Sequence, residues 1–189
     1  DRSSGEGKVG YFAGCMTLLS PKILVAMDDI FKAAGEEVWH ADRDGGVCCG
    51  RPLKLSGEVD AARRMMQINK NLFAKHGIET LVTSCPICLK VFREDYNLQG
   101  IEVLHHSEYI ERLVKSGRIS PVHKNTRLTY HDPCELGRGC GVYEAPRNVL
   151  RAAATLLEPA QNREDALCCG ASLAATTLSN KQQTAIARD

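Results

Sequence analysis

Ile78-Glu-Thr-Leu-Val-Thr-Ser-Cys-Pro-Ile-Cys88 runs a short apolar stretch straight into two cysteines three apart. Ile78 to Thr83 has the apolar and β-branched character of a buried strand. Pro86 suits the first position of a helix, which makes Cys85 its N-cap. Helical residues three apart share a face, so both sulfurs point to one spot at the helix N-terminus. Free N–H groups and the helix dipole favour thiolate there. Taken alone, the motif reads equally well as a thioredoxin-like redox pair.

The rest of the chain repeats this device. Of nine cysteines, eight follow one pattern written twice. Cys15 is followed after thirty-two residues by Cys48-Cys49-Gly50, and after thirty-four more by Cys85-Pro86-Ile87-Cys88. Cys134 is followed after thirty-three residues by Cys168-Cys169-Gly170, and Asp189 is reached before any closing Cys-x-x-Cys. By the repeat offset that motif belongs beyond Asp189. The second copy is therefore expected to be truncated, its last residues weakly anchored, and the chain a piece of something longer.

Strand and helix signals alternate around these cysteines. Lys8 to Ala13 reads as a strand delivering Cys15, and Pro21 opens a helical pattern that closes at Gly35. Glu37 to His40 is a short strand, and Asp44-Gly45-Gly46 a turn presenting Cys48-Cys49. Glu58 to His76 is an amphipathic helix. Ile101 to Lys115 forms another strand-and-helix unit. Arg127 to His131 restarts the pattern, followed by a helix near Ala145 to Ala154, a weak strand near Leu156 and a helix from Ser179 to Arg188. The expectation is an α/β chain of two pseudo-repeated units, each a mainly parallel sheet flanked by helices, the second truncated. Their bounds are 8–124 and 125–189, after a flexible linker at 1–7. The cysteines fall at strand C-terminal ends, where such sheets bind ligands.

Charge is balanced, with 24 Lys and Arg against 23 Asp and Glu, which argues against nucleic acid as a partner. The uncharged run from Ala166 to Asn180 is too short to span a bilayer, and nothing marks a signal peptide. The spacings argue against a secreted disulfide framework, and an adjacent Cys-Cys pair closes on itself only in a strained ring. Thiolate ligands in a reducing, cytoplasmic compartment are the better reading. In an extended strand, Cys48 and Cys49 would point to opposite faces; in a turn, with Gly50 at positive φ, both sulfurs can reach different metals of one cluster. Zinc asks for four ligands, whereas the first copy supplies five. A multinuclear iron-sulfur cluster uses that set more naturally, although four cysteines are the usual count. A zinc-stabilised interaction domain remains the distant alternative.

Tyr11-Phe12-Ala13-Gly14-Cys15, Cys48-Cys49-Gly50, Thr83-Ser84-Cys85-Pro86-Ile87-Cys88, His131-Asp132-Pro133-Cys134 and Cys168-Cys169-Gly170 together resemble the CCG-type cysteine-rich domain found in the B and D subunits of heterodisulfide reductase and in their relatives. Those relatives include iron-sulfur subunits of glycolate oxidase and anaerobic glycerol-3-phosphate dehydrogenase. The resemblance implies part of an oxidoreductase of anaerobic metabolism, holding a [4Fe-4S] cluster that is noncubane in the heterodisulfide reductase branch. It implies electron exchange between a ferredoxin-type or flavoprotein partner and a disulfide, quinone or other acceptor. A pure electron-relay module of a flavin- or quinone-linked complex is the alternative. By position, Cys15, Cys48, Cys49, Cys85 and Cys88 would hold the first cluster; Cys134, Cys168 and Cys169 would begin a second, incomplete one.

Other residues carry plainer expectations. Cys140 has no counterpart in the first copy and is expected to be a non-ligand. His131 and Asp132 fit either a proton donor beside Cys134 or a satisfied turn. His105-His106, at a strand end, is expected to be structural. Arg138 and Arg147 are expected at the solvated surface.

Overall fold

The computed structural model describes residues 8–170 and 179–186. The expected linker at 1–7, residues 171–178 of the uncharged run, and residues 187–189, over which the last helix is expected to reach Arg188, lie outside the described residues. The chain divides into two compact units, Asp1–Pro121 and Val122–Asp189.

In the first unit β1 (Val9–Phe12) leads through a short helix α1 (Cys15–Leu18) into α2 (Pro21–Ala33) and β2 (Val38–His40). A 3₁₀ turn (Ala41–Arg43) and a short helix α3 (Arg51–Leu55) precede α4 (Val59–Lys75). Then come β3 (Thr80–Thr83), α5 (Pro86–Glu94), β4 (Glu102–His105) and α6 (His106–Lys115). The strands make one sheet in the order β2-β1-β3-β4, each neighbouring pair parallel. Strand β1 is buried along its whole length, as a central parallel strand covered on both faces must be. The direction of winding reverses between β1 and β3, the place where such sheets open a crevice beyond their strand C-termini.

Local chemistry sets the helix limits. Pro21 occupies the first turn of α2, and Gly35, at φ 66°, turns the chain out of it. The Glu36 N–H then donates to the Phe31 carbonyl at 2.9 Å, which satisfies an end carbonyl that the helix leaves open. Helices α1 and α3 are single turns that the apolar periodicity does not announce.

Tyr11 and Phe12 are neighbours in β1 and so face opposite sides of the sheet. Tyr11 meets Phe31 of α2 at 5.4 Å between ring centres, and Phe31 meets Tyr109 of α6 at 6.0 Å. Phe12 meets Phe92 of α5 at 4.9 Å, and Phe92 meets Phe73 of α4 at 5.8 Å. Helices α2 and α6 thus cover one face, α4 and α5 the other. These edge-on ring contacts each add about 0.5–1.5 kcal/mol beyond their area.

The second unit repeats the order on a smaller scale. It runs β5 (Arg127–Thr129), α7 (Gly137–Cys140), α8 (Glu144–Ala153), β6 (Thr155–Leu157), a 3₁₀ turn (Arg163–Asp165) and α9 (Asn180–Ile186). Strands β5 and β6 pair in parallel, and α9 buries no side chain. The centre of this unit is ionic. Arg147 of α8, expected at the surface, is fully buried. Its two terminal nitrogens fork onto the Asp132 carboxylate at 2.6 Å each. Its Nε reaches Glu158 at 3.0 Å, and its guanidinium lies 5.2 Å from the Tyr130 ring centre. The surface expectation failed because nothing local marks Asp132, on a separate loop, as the partner that offsets the burial of this charge.

Burial alone would raise the Asp132 carboxyl, but the Arg147 fork and the Arg163 N–H together hold it below its ordinary value. A carboxyl depressed by folding stabilises above its unfolded pKa and loses that contribution as pH falls through the folded one. Stability should therefore decline as pH drops below about 4, and Asp132→Asn should flatten that acid limb. Arg147→Met, which strands a buried carboxylate, should destabilise the unit by about 3–5 kcal/mol. Urea denaturation followed by circular dichroism measures both. An unchanged midpoint in Arg147→Met would contradict the assignment.

Candidate metal centre

Because β1, β2 and β3 are parallel, their C-terminal ends open on one edge of the sheet. Each is followed by cysteine. Cys15 starts α1 behind β1, Cys48 and Cys49 follow β2 and its 3₁₀ turn, and Cys85 caps α5 behind β3. Cys85 has the extended backbone of an N-cap, with Pro86 next to it, as the sequence predicts. The Cys85 N–H donates to Thr83 Oγ1 at 3.3 Å, and Tyr11 Oη pairs with Ser84 Oγ at 2.7 Å.

The Cys48-Cys49-Gly50 turn is held from behind by two side chains that sequence reasoning missed. Asn69 of α4 is fully buried; it accepts the Val47 N–H at 2.9 Å and donates to the carbonyls of Val47 at 3.0 Å and Cys48 at 3.3 Å. Tyr96 Oη accepts from Asn69 at 2.9 Å and donates to the Cys49 carbonyl at 3.2 Å. Gly50 follows at φ 93°, the left-handed conformation expected of it. The signal for Asn69 lay in α4, whose buried residues are Ala62, Asn69 and Phe73: a polar residue on an apolar stripe. Tyr96 carried no comparable signal.

The side chains of Cys48, Cys49, Cys88 and Cys85 are neighbours in that order, and each perturbs the ionisation of the next. Cys49, Cys85 and Cys88 are 3 %, 7 % and 2 % exposed; Cys48 is half-buried and Cys15 exposed. Cys15 acts on Cys48 only through a smaller electrostatic effect. A Cβ on Gly14 would stand 3.0 Å from the Cys88 sulfur, so the backbone beside Cys15 already rests on that thiol. Cys49 is drawn below the ordinary thiol range, first by Cys48 and then by Cys88. The neighbouring Cys88 side chain draws Cys85 down to about 7, with help from the N–H groups of Cys88 and Ile87 at the start of α5. Cys48 and Cys88, set against neighbouring sulfurs and drawn away from water, move up. Thiols crowded in this way suit a cationic iron-sulfur core, which would take up several thiolates at once. Among the described residues, no three His, Cys, Asp or Glu side chains converge closely enough to hold a single metal ion.

In the second unit Cys134 is half-buried behind β5, while Cys168 and Cys169 are exposed. They are not drawn into a ligand group among the described residues. Gly170 repeats the positive φ of Gly50 at 70°, and its N–H points to the Cys168 sulfur at 3.5 Å. A cleft of about 520 Å³ is lined by His131, Leu167, Cys168 and Cys169 together with Pro159 to Gln161. His131 Nε2 bonds the Leu167 carbonyl at 3.0 Å, and Asp132 faces Arg147. Arg138 is exposed at the surface as expected, donating to the carbonyls of Glu164 and Ala166. Cys140 closes α7, half-buried. His105 is structural: with Glu108 it forms a reciprocal cap on α6.

The chain belongs to the CCG cysteine-rich domain family, which matches residues 9–93 and 128–189. It is 34 % identical over 166 residues to the B subunit of fumarate reductase (CoM/CoB) from Methanothermobacter marburgensis, covering 86 % of this chain and 32 % of that protein. It is 31 % identical over 187 residues to the D subunit of dihydromethanophenazine:CoB–CoM heterodisulfide reductase from Methanosarcina barkeri, covering 88 % and 43 %. It is 36 % identical over 160 residues to the "Probable iron-sulfur-binding oxidoreductase FadF" of Bacillus subtilis, covering 80 % and 22 %. The chain thus spans less than half the length of these relatives.

The support behind the cysteine turn can be tested directly. Asn69→Leu leaves the Val47 N–H, the Val47 and Cys48 carbonyls and Tyr96 Oη without this partner, and each buried polar group so stranded costs about 1–3 kcal/mol. A fall in the thermal midpoint is expected, with faster alkylation of Cys49 in the reduced protein. Wild-type alkylation kinetics in that variant would show that the turn holds itself.

Proposed function

We propose that the chain is an iron-sulfur redox module in which Cys15, Cys48, Cys49, Cys85 and Cys88 hold a [4Fe-4S] cluster. The gathering of Cys48 and the buried Cys49, Cys85 and Cys88 at the open edge of a parallel sheet carries this reading. The redox character of the relatives supports it, as does a five-cysteine set larger than zinc requires. Cys134, Cys168 and Cys169 are proposed as part of a second centre. When bound, the cluster supplies one-electron capacity.

The chain's own residues prepare that site. Cys49, Cys85 and Cys88 keep their sulfurs away from water, while Asn69 and Tyr96 fix the turn that presents the adjacent pair. The α5 N-terminus stabilises negative charge on Cys85. Cys15, exposed beside three buried thiols, leaves one side approachable. This supports reaction of a disulfide at the centre, with electrons supplied by a ferredoxin-type or flavoprotein partner. In the alternative reading, the centre only relays electrons within a flavin- or quinone-linked complex. A cytoplasmic location is proposed; no described helix is long and apolar enough to cross a membrane.

Anaerobic reconstitution followed by iron and sulfide analysis tests the assignment. The first site should carry about four irons and four sulfides. Cys49→Ser should lower that content sharply, since an alcohol is a harder and weaker ligand than thiolate. Undiminished loading in Cys49→Ser would mean that the ligands are misassigned.

A further inference from the structure

In each unit one carboxylate ties together the same two loops, but from opposite ends. In the first, Asp42 of the 3₁₀ turn after β2 accepts the backbone N–H groups of Ala13 at 2.6 Å and Gly14 at 3.1 Å. Those amides immediately precede Cys15. In the second, the carboxylate sits on the other loop. Asp132, two residues before Cys134, accepts the N–H of Arg163 at 2.7 Å, in the 3₁₀ turn after β6. Donor and acceptor have changed places while the connection has stayed.

The second tie holds its loop in an unfavourable shape. Arg163 takes φ 54°, a left-handed conformation that is strained for a residue with a side chain. Asp132 on its N–H and Glu144 on its side chain, the latter at 2.9 Å from Nε, offset that penalty. Asp132 is itself braced by the buried Arg147. In both units the 3₁₀ turn leads directly into the Cys-Cys-Gly segment. The tie therefore fixes the separation between the lone cysteine and the adjacent pair, which come from different strands and share no sheet hydrogen bond of their own.

We propose that Asp42 and Asp132 are positioning residues, each setting the loop of the first cysteine (Cys15 or Cys134) against the turn that carries the Cys-Cys-Gly pair. The proposal rests on the iron-sulfur reading above, since what the tie would position is the ligand set. Ala13 aligns with Asp132, so the two carboxylates are not equivalent residues. What the copies share is the bond between loops. Neither aspartate touches the centre; each acts through the backbone beside a ligand.

The experiment uses the whole chain with Asp42→Ala, Asp42→Asn and, as a control, Asp60→Asn. Asp60 pairs with Arg63 on the exposed surface of α4, on neither of the tied loops. Amide hydrogen exchange is read on reduced, metal-free protein, and the rate of cluster loss to a chelator on reconstituted protein. Asp42→Ala should lose protection at Ala13 and Gly14 and release the cluster about tenfold faster, the scale at which ligand-orienting groups act. Asp42→Asn, which keeps one acceptor oxygen, should fall between, and Asp60→Asn should match the wild type. Asp132→Asn should raise exchange at Arg163. If Asp42→Ala does not fold, as judged by circular dichroism, the near-isosteric Asp42→Asn decides alone. Unchanged amide protection would show that the tie is not there. Lost protection with wild-type release kinetics would reduce it to a folding contact. A wild-type chain that assembles no cluster would instead sink the iron-sulfur reading, and the exchange data would still report on the tie.

Discussion

Parallel pairing of β1 with both β2 and β3 is the constraint from which the rest follows. It places three strand C-termini on one edge, so cysteines far apart in sequence meet without any long-range guide of their own. The register is secured by burial on both faces, because Tyr11 and Phe12 each nucleate an aromatic layer on opposite sides. A shift of one residue would exchange those layers and move the Cys15 loop to the wrong face. Packing energy and site geometry are thus the same requirement.

Polar groups then refine what the sheet only roughly gathers. Asn69 and Tyr96 satisfy backbone groups of the Cys48-Cys49 turn inside the core, where water cannot do so. Such a network strongly specifies one arrangement, since each member left alone is penalised. The second unit puts its polar weight elsewhere, in the Asp132–Arg147–Glu158 cluster beneath the Cys134 loop. The Cys48-Cys49 turn is braced by neutral hydrogen bonds and the Cys134 loop by buried charge.

Much of this was legible in the chain. Strand-to-cysteine junctions, Pro86 after Cys85, and the glycines at Gly35 and Gly50 each have a local physical meaning that survives folding. The repeat of Cys15 and Cys48-Cys49 in Cys134 and Cys168-Cys169 also revealed the family. Illegible were contacts whose partner lies on another element. Arg147 read as a surface residue because Asp132 is invisible from α8. Asn69 was passed over as one polar residue in an amphipathic helix, although its place on the buried stripe was the clue. The short helices α1 and α3 are set by the loops they close and show no periodicity.

Whether these thiols form a metal-sulfur redox centre is tested most directly by spectroscopy of the anaerobically prepared chain before and after dithionite. Broad visible absorption should bleach on reduction, with a change in the paramagnetic resonance signal that is altered again in Cys49→Ser. A colourless, dithionite-insensitive protein that retains only zinc would refute the iron-sulfur assignment.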